Sequence, residues 1–400
     1  MREMKDSGVE WLGEVPAGWT FAPFKRLYSQ VSITNCESEE LLSVYLNRGV
    51  IRYVDSDGVQ VHKPSKSLLK YQLVRPGNFV LNNQQAWRGS VGISIYRGIV
   101  SPAYYVLEKN TSNIDDRFAN YLFRGPFVQV LELCSRGVGT IQRNISLVEL
   151  KSEMVPLPPL DEQLRIADFL DERCGEIDRA VFAAERSIEE LNLYRSARLE
   201  EMITRVSHEA PREKLKYVLK ESKDKSPDGI GEPLSITIAR GVIRSIELAI
   251  PNPTSSLVGA KIVHAGDLVF NKLKAYYGVM YVSPYNGLIS PEYAVYQAID
   301  MERTSLKYLE YVFHTAAVID EFIIRISGVA DGFRRLYTSD LFDIAVPVPS
   351  IEVQQRIVAE LDDLYASIAE SIGAKQAIIA DLKAYKQSLI YEAVTGKREV

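Results

Sequence analysis

Asn83, Gln84, Gln85 and Arg88 lie within six consecutive residues. Side chains of these types pair with base edges, Asn and Gln with adenine, Arg and Lys with guanine. The stretch that carries them, NNQQAWRGSVGISIYRG at 82–98, contains two Arg and no acid. A second stretch, FNKLKAYYGVMYVSPY at 270–285, contains two Lys and no acid and offers Lys272, Lys274, Tyr276 and Tyr277. Two glycine-rich segments add cations suited to phosphate or groove contact: SRGVGTIQR at 135–143, with Arg136, Gln142 and Arg143, and SGVADGFRRLY at 327–337, with Arg334 and Arg335. Arg48 and Arg240, each opening an RGVI, suit a structural frame as well as a contact. The plainer reading of each segment is a strand–turn or loop with varied exposed residues.

Other chemistry finds no support in the spacing. SPAY at 101–104 faintly resembles the base-holding site of amino-methyltransferases, but it lacks their second proline, as does SPEY at 290–293. The only GK, at Gly396–Lys397, has Tyr391 where a phosphate loop needs glycine. Cys36, Cys134 and Cys174 show no CxxC spacing, and four scattered histidines form no ligand set. No catalytic residue and no metal site is expected, and the chain reads as a binder.

These residues need elements to position them, and the chain writes those elements twice. LSVYLNRGVI at 42–51 returns as LSITIARGVI at 234–243. Gly77, Asn82, Ala86, Gly89, Gly98 and Tyr104 recur 189 residues later as Gly266, Asn271, Ala275, Gly278, Gly287 and Tyr293. A period this long implies two whole domains rather than a solenoid. Short β-like runs such as FVLNN, VGISIY and YYVLE alternate with turn residues, and a helical stretch follows at 114–133. Each domain is therefore expected to be α+β. The retained Asn, Ala and Gly frame the changed residues between them, as two domains reading different sequences would.

Each copy ends in prolines and then a long helical pattern. PLPPLDEQLRI at 156–166 matches PVPSIEVQQRI at 347–357. Apolar residues then step by three and four through Leu170, Ile177, Val181, Ile188 and Leu191, and again through Leu361, Ile368, Ile372, Ile379 and Leu382. At 1.5 Å per residue each helix would be roughly 70 Å long. The matching seams predict that the two helices pair antiparallel as a coiled coil, with packing of each helix on its own domain as the alternative. The expected segments are a first globular domain at 1–158, a helix at 159–206, a second domain at 207–348 and a helix at 349–396.

Composition sets the remaining bounds. The chain is 46% hydrophobic and 25% charged, ordinary for a soluble globular protein. No apolar run suggests a membrane span, no signal segment opens the chain, and a cytoplasmic location is expected. The net charge of −5 argues mildly against nucleic acid, but the acids cluster on the helices: residues 161–180 hold seven acids and three Arg.

The opening KDSGVEWLGEVPAGW, the block PLPPLDEQLRIADFLDERCGEID, its echo PVPSIEVQQRIVAELDD and the ending LKAYKQSLIYEAVTGKREV resemble specificity subunits of Type I restriction–modification systems. The resemblance spans essentially the whole chain, although Ser350 and Val353 depart from the motif in the second copy. It implies two target-recognition domains, each reading one half of a bipartite, asymmetric double-stranded DNA sequence, with the helices as a spacer. It implies two modification subunits and further restriction or translocase subunits as partners. S-adenosylmethionine, ATP and magnesium would bind those partners, and this chain would bind no cofactor and catalyse nothing. The rival readings are a self-contained DNA methyltransferase or nuclease, and a coiled-coil protein-binding adaptor.

Overall fold

The computed structural model of the chain describes residues 2–46, 48–56, 64–137, 143–248, 257–329 and 333–400. The chain divides into two compact units, Met1–Glu185 with Gln376–Val400 and Arg186–Lys375. Both units are α+β, and both contain stretches of two long helices, Leu160–Ser207 and Ile351–Val394. No helix among the described residues is long and apolar enough to cross a membrane.

In the first unit a four-stranded antiparallel sheet runs in the order Tyr28–Val31, Tyr104–Lys109, Phe79–Asn82, Val91–Ile93. Strand alternation sorts its two faces. Phe79, Leu81 and Leu107 enter the main core with Phe24, Phe118, Phe123 and Phe127. Val80 and Val106 point the other way, against Val44, Val74 and Val100 from two small paired-strand elements. The rings of Phe79 and Phe123 stand 4.8 Å apart. Each such buried ring stabilises the unit by about 1.5–3 kcal/mol.

The second unit repeats this plan. Its sheet order is Leu219–Glu221, Ala294–Ala298, Leu268–Phe270, Met280–Val282. Leu268, Phe270 and Tyr296 face a core with Tyr308, Phe313 and Phe322, while Val269 and Val295 face Val242, Val263 and Ile289. The helix after each sheet starts at a side-chain cap. Asp115 accepts from the amides of Arg117 and Phe118, both at 3.0 Å, and Ser305 accepts from Tyr308 at 3.2 Å.

Within the first unit Leu170, Ile177 and Val181 are buried in the core that also holds Leu389, Ala393 and Val394, with Ile379 and Leu382 packed half-buried beside it. Lys386 meets Asp178 at 2.6 Å and Lys383 meets Glu185 at 3.3 Å. Numbering rises on one helix as it falls on the other, so the pair is antiparallel. Within the second unit Leu361 and Ile368 are buried, whereas Ile188, Leu191 and Ile372 are half-buried. The seam read from sequence stops at Leu191, yet Leu199 and Ile203 are buried with Ile357 and Leu361. Arg195 occupies the intervening position with its guanidinium 5.3 Å from the Tyr365 ring centre, which hides the continuation from an apolar count.

Candidate nucleic-acid interface

The loop at 82–90 is built by its own backbone before any side chain projects. Asn82 Oδ1 accepts from the Gln84 amide at 3.1 Å, and the Asn82 carbonyl accepts from Gln85 at 3.0 Å. A short 3-10 turn, Ala86–Arg88, buries Ala86 and ends at Gly89, whose φ of 92° favours glycine. Ser90 then ties back to the Val44 carbonyl at 2.9 Å. The turn leaves Gln84 and Arg88 exposed and Gln85 and Trp87 half-buried.

Trp87 is the residue that sequence reasoning passed over. Its Nε1 donates to the Gln84 carbonyl at 3.0 Å, and the guanidiniums of Arg88 and Arg143 lie 5.7 and 4.7 Å from its ring centre. One indole thus gathers two of the expected DNA-binding arginines. Arg143 also pairs with Glu132 at 3.1 Å. Asn83 is committed inward, its Oδ1 and its carbonyl both taking the Ile145 amide, at 3.1 and 3.2 Å. Arg136 is exposed and paired with Glu149. Gln142 lies outside the described residues.

The second unit builds the same loop with different tips. Asn271 Oδ1 accepts from Leu273 and Lys274 at 3.1 and 3.2 Å, Ala275 is buried, and Gly278 has a φ of 69°. Tyr276 and Tyr277 stand with ring centres 4.2 Å apart, Tyr277 being exposed. Lys274 is exposed and forms no ion pair among the described residues. Lys272 instead faces Glu221 at 3.4 Å, beside the Lys261–Glu221 pair at 2.8 Å. Arg335 pairs with Glu292, and Arg334 lies in the strand Phe333–Arg335.

Beside the first loop opens a cleft of about 470 Å³. Gln84, Gln85 and Arg88 line it together with Tyr45, Tyr53, Tyr71 and Tyr104. Burial, then the neighbouring Tyr45 and Tyr71, hold the Tyr104 hydroxyl above the usual phenol range, so it stays a neutral donor at neutral pH. Elsewhere, burial and then Glu153 and Glu149 push the Cys134 thiol up to about 12, which keeps it from acting as a thiolate at neutral pH. Among the described residues no three His, Cys, Asp or Glu side chains cluster as a metal site.

Residues 45–178 match the family model described as the Type I restriction modification DNA specificity domain. One similar solved chain comes from work on complex assembly and conformational transition of the type I R-M system, with 18% identity and a TM-score of 0.71 over 96% of this chain and 99% of that one. The HsdS subunit from Thermoanaerobacter tengcongensis is also similar, with 18% identity and a TM-score of 0.54 over 96% of this chain and 98% of that one. At such identities these likenesses speak for the fold, and the family model speaks for the DNA-specificity role. Residues 45–178 thus match a Type I restriction–modification DNA specificity domain, and the chain as a whole is similar in fold to chains from type I systems.

Proposed function

We propose that each unit reads one half of a bipartite, asymmetric double-stranded DNA target, and that the two long helices set the gap between the halves. The observation that carries this reading is the duplicated loop. Its frame, Asn82, Ala86 and Gly89 against Asn271, Ala275 and Gly278, is kept, while Gln84, Gln85 and Arg88 give way to Leu273, Lys274 and Tyr277. An unchanged backbone presenting changed donors is what reading two different base sequences requires.

In this reading Gln84, Gln85, Arg88, Lys274, Tyr276 and Tyr277 are the base-facing set, with Arg143 supporting through Trp87. Arg136, Arg335 and Lys272 serve as reserve cations, because an acidic neighbour already holds each one. The chain itself performs no catalysis and binds no cofactor. Its partners are two modification subunits, which bring S-adenosylmethionine, and restriction subunits, which bring ATP and magnesium.

The test is to express the chain with its modification subunits and map the methylated motif in the host DNA. A two-part motif with an unread gap supports the reading. A single uninterrupted motif sinks it. Tight calorimetric binding of S-adenosylmethionine to the isolated chain would instead favour a self-contained methyltransferase.

A further inference from the structure

We propose that the cleft beside Gln84, Gln85 and Arg88 receives one nucleobase turned out of the duplex, within the half-site read by the first unit. This rests on the base-reading role proposed above and specifies how part of it is carried out. A base edge left in the stack is met by a side chain that projects into a groove. A half-open cleft of about 470 Å³ has room for one base and not for a duplex. Its walls suit a base. Tyr45, Tyr53, Tyr71 and Tyr104 offer ring faces, on which any unstacked base can lie. Asn82, Gln84 and Gln85 offer amides for its edge, and exposed Arg88 stands where the displaced backbone would pass.

The internal repeat shows which part of this lining is the first unit's own. The more enclosed positions Ser43, Asn82, Ser101 and Tyr104 reappear in the second unit as Ser235, Asn271, Ser290 and Tyr293. The outer positions Gln84, Gln85, Arg88 and Ala103 become Leu273, Lys274, Tyr277 and Glu292. The ring faces are not repeated: Tyr45, Tyr53 and Tyr71 become Thr237, Ser245 and Ala260, so the aromatic lining belongs to the first unit, the one whose half-site is concerned.

The experiment uses the full chain with its modification subunits, on duplexes carrying the mapped target. 2-Aminopurine is placed in turn at each position of the half-site assigned to the first unit. Besides the adenine that the modification subunits methylate, one further position should show a several-fold fluorescence rise on binding. A mismatch there should tighten binding at least threefold, because less pairing is lost. Ala103→Trp, which fills the mouth, should abolish the rise at that position and leave the rise at the methylated adenine unchanged. Should that variant fold poorly, Gln84→Ala with Gln85→Ala should weaken base discrimination at the same position at least tenfold. Sequence-specific binding with no second fluorescent position overturns the proposal and leaves base reading intact. Loss of sequence specificity in the wild-type complex removes base reading itself.

Discussion

Gln163 Oε1 accepts the backbone amide of Asp115 at 2.8 Å, across 48 residues of chain. Its Nε2 donates to the carbonyls of Asn113 and Pro158, both at 2.9 Å. Gln354 repeats the arrangement with Ser305, Arg303 and Pro349 at 2.9, 2.9 and 2.8 Å. Both glutamines are fully buried. The glutamine of the doubled proline block therefore pins the start of each long helix to the capped turn of its own lobe.

Gln163→Ala should cost more than about 2 kcal/mol, since it leaves buried backbone groups without partners at about 1–3 kcal/mol each. Trp11, Trp19 and Trp87 all lie in the first unit, so tryptophan fluorescence during denaturant unfolding reports it. A loss below about 0.5 kcal/mol, small beside the usual effect of breaking a buried hydrogen-bond network, would contradict the pinning role.

A methyl group on Gly98 would strike the Glu40 carbonyl and the Leu42 side chain, and one on Gly287 would strike the Glu232 carbonyl and Leu234. Gly98→Ala should therefore destabilise by about 1–3 kcal/mol through overpacking. Gly287→Ala should do the same in the second unit and shift the tryptophan-detected transition less. Equal tryptophan shifts for both variants would argue against two separately packed units.

Arg88→Ala should weaken discrimination in one half-site by about 1–3 kcal/mol, the worth of a bidentate base contact. Tyr277→Ala should affect the other half-site. Anisotropy titrations against duplexes mutated in one half at a time distinguish the two, and equal losses in both halves for either variant would reject separate readers.

Burial raises the Glu221 carboxyl, but hydrogen bonds from Lys261 and Thr338 and the charges of Lys261 and Lys272 outweigh that and hold it below its ordinary value. Folded Glu221 thus stays ionised over an acid window in which the unfolded chain binds the proton. Stability rises with pH through that window, is fully present above the unfolded carboxylate range and is lost as pH falls through the folded value. Glu221→Gln should flatten this dependence. The check is amide exchange, corrected for intrinsic rate, in Leu219–Glu221 and Ala294–Ala298. An unchanged slope would show that the cluster does not couple to folding.

One heptad inserted into each long helix should lengthen the preferred gap between half-sites without changing the bases read. Methylation mapping of the variant complex checks this, and an unaltered gap would reject the spacer role.

The duplication was readable because its frame residues, Asn82, Ala86, Gly89 and their partners, are fixed by backbone geometry that tolerates little else. The heptad seam was readable as far as residues such as Leu170, Ile177 and Leu361, where period and burial coincide. Ties that depend on distant partners were not. Asn120 accepts the Ile93 amide at 3.1 Å and Glu310 accepts the Val282 amide at 2.6 Å, the same sheet-edge tie made by different residue types. Tyr121 donates to Asp171, and Tyr311 to Asp362, joining each lobe to a long helix. Composition likewise marked Asn83 and Lys272 as contact residues, but Ile145 and Glu221, far away in sequence, engage them.

Residues 376–400 complete the first unit, so Leu389, Ala393 and Val394 reach their core only after the whole of Arg186–Lys375 has been synthesised. On a ribosome the earlier lobe must wait with part of its apolar surface uncovered while the later one, Arg186–Lys375, already has all its residues. At roughly 5–20 residues per second that wait lasts tens of seconds, long enough for a chaperone to bind the nascent lobe.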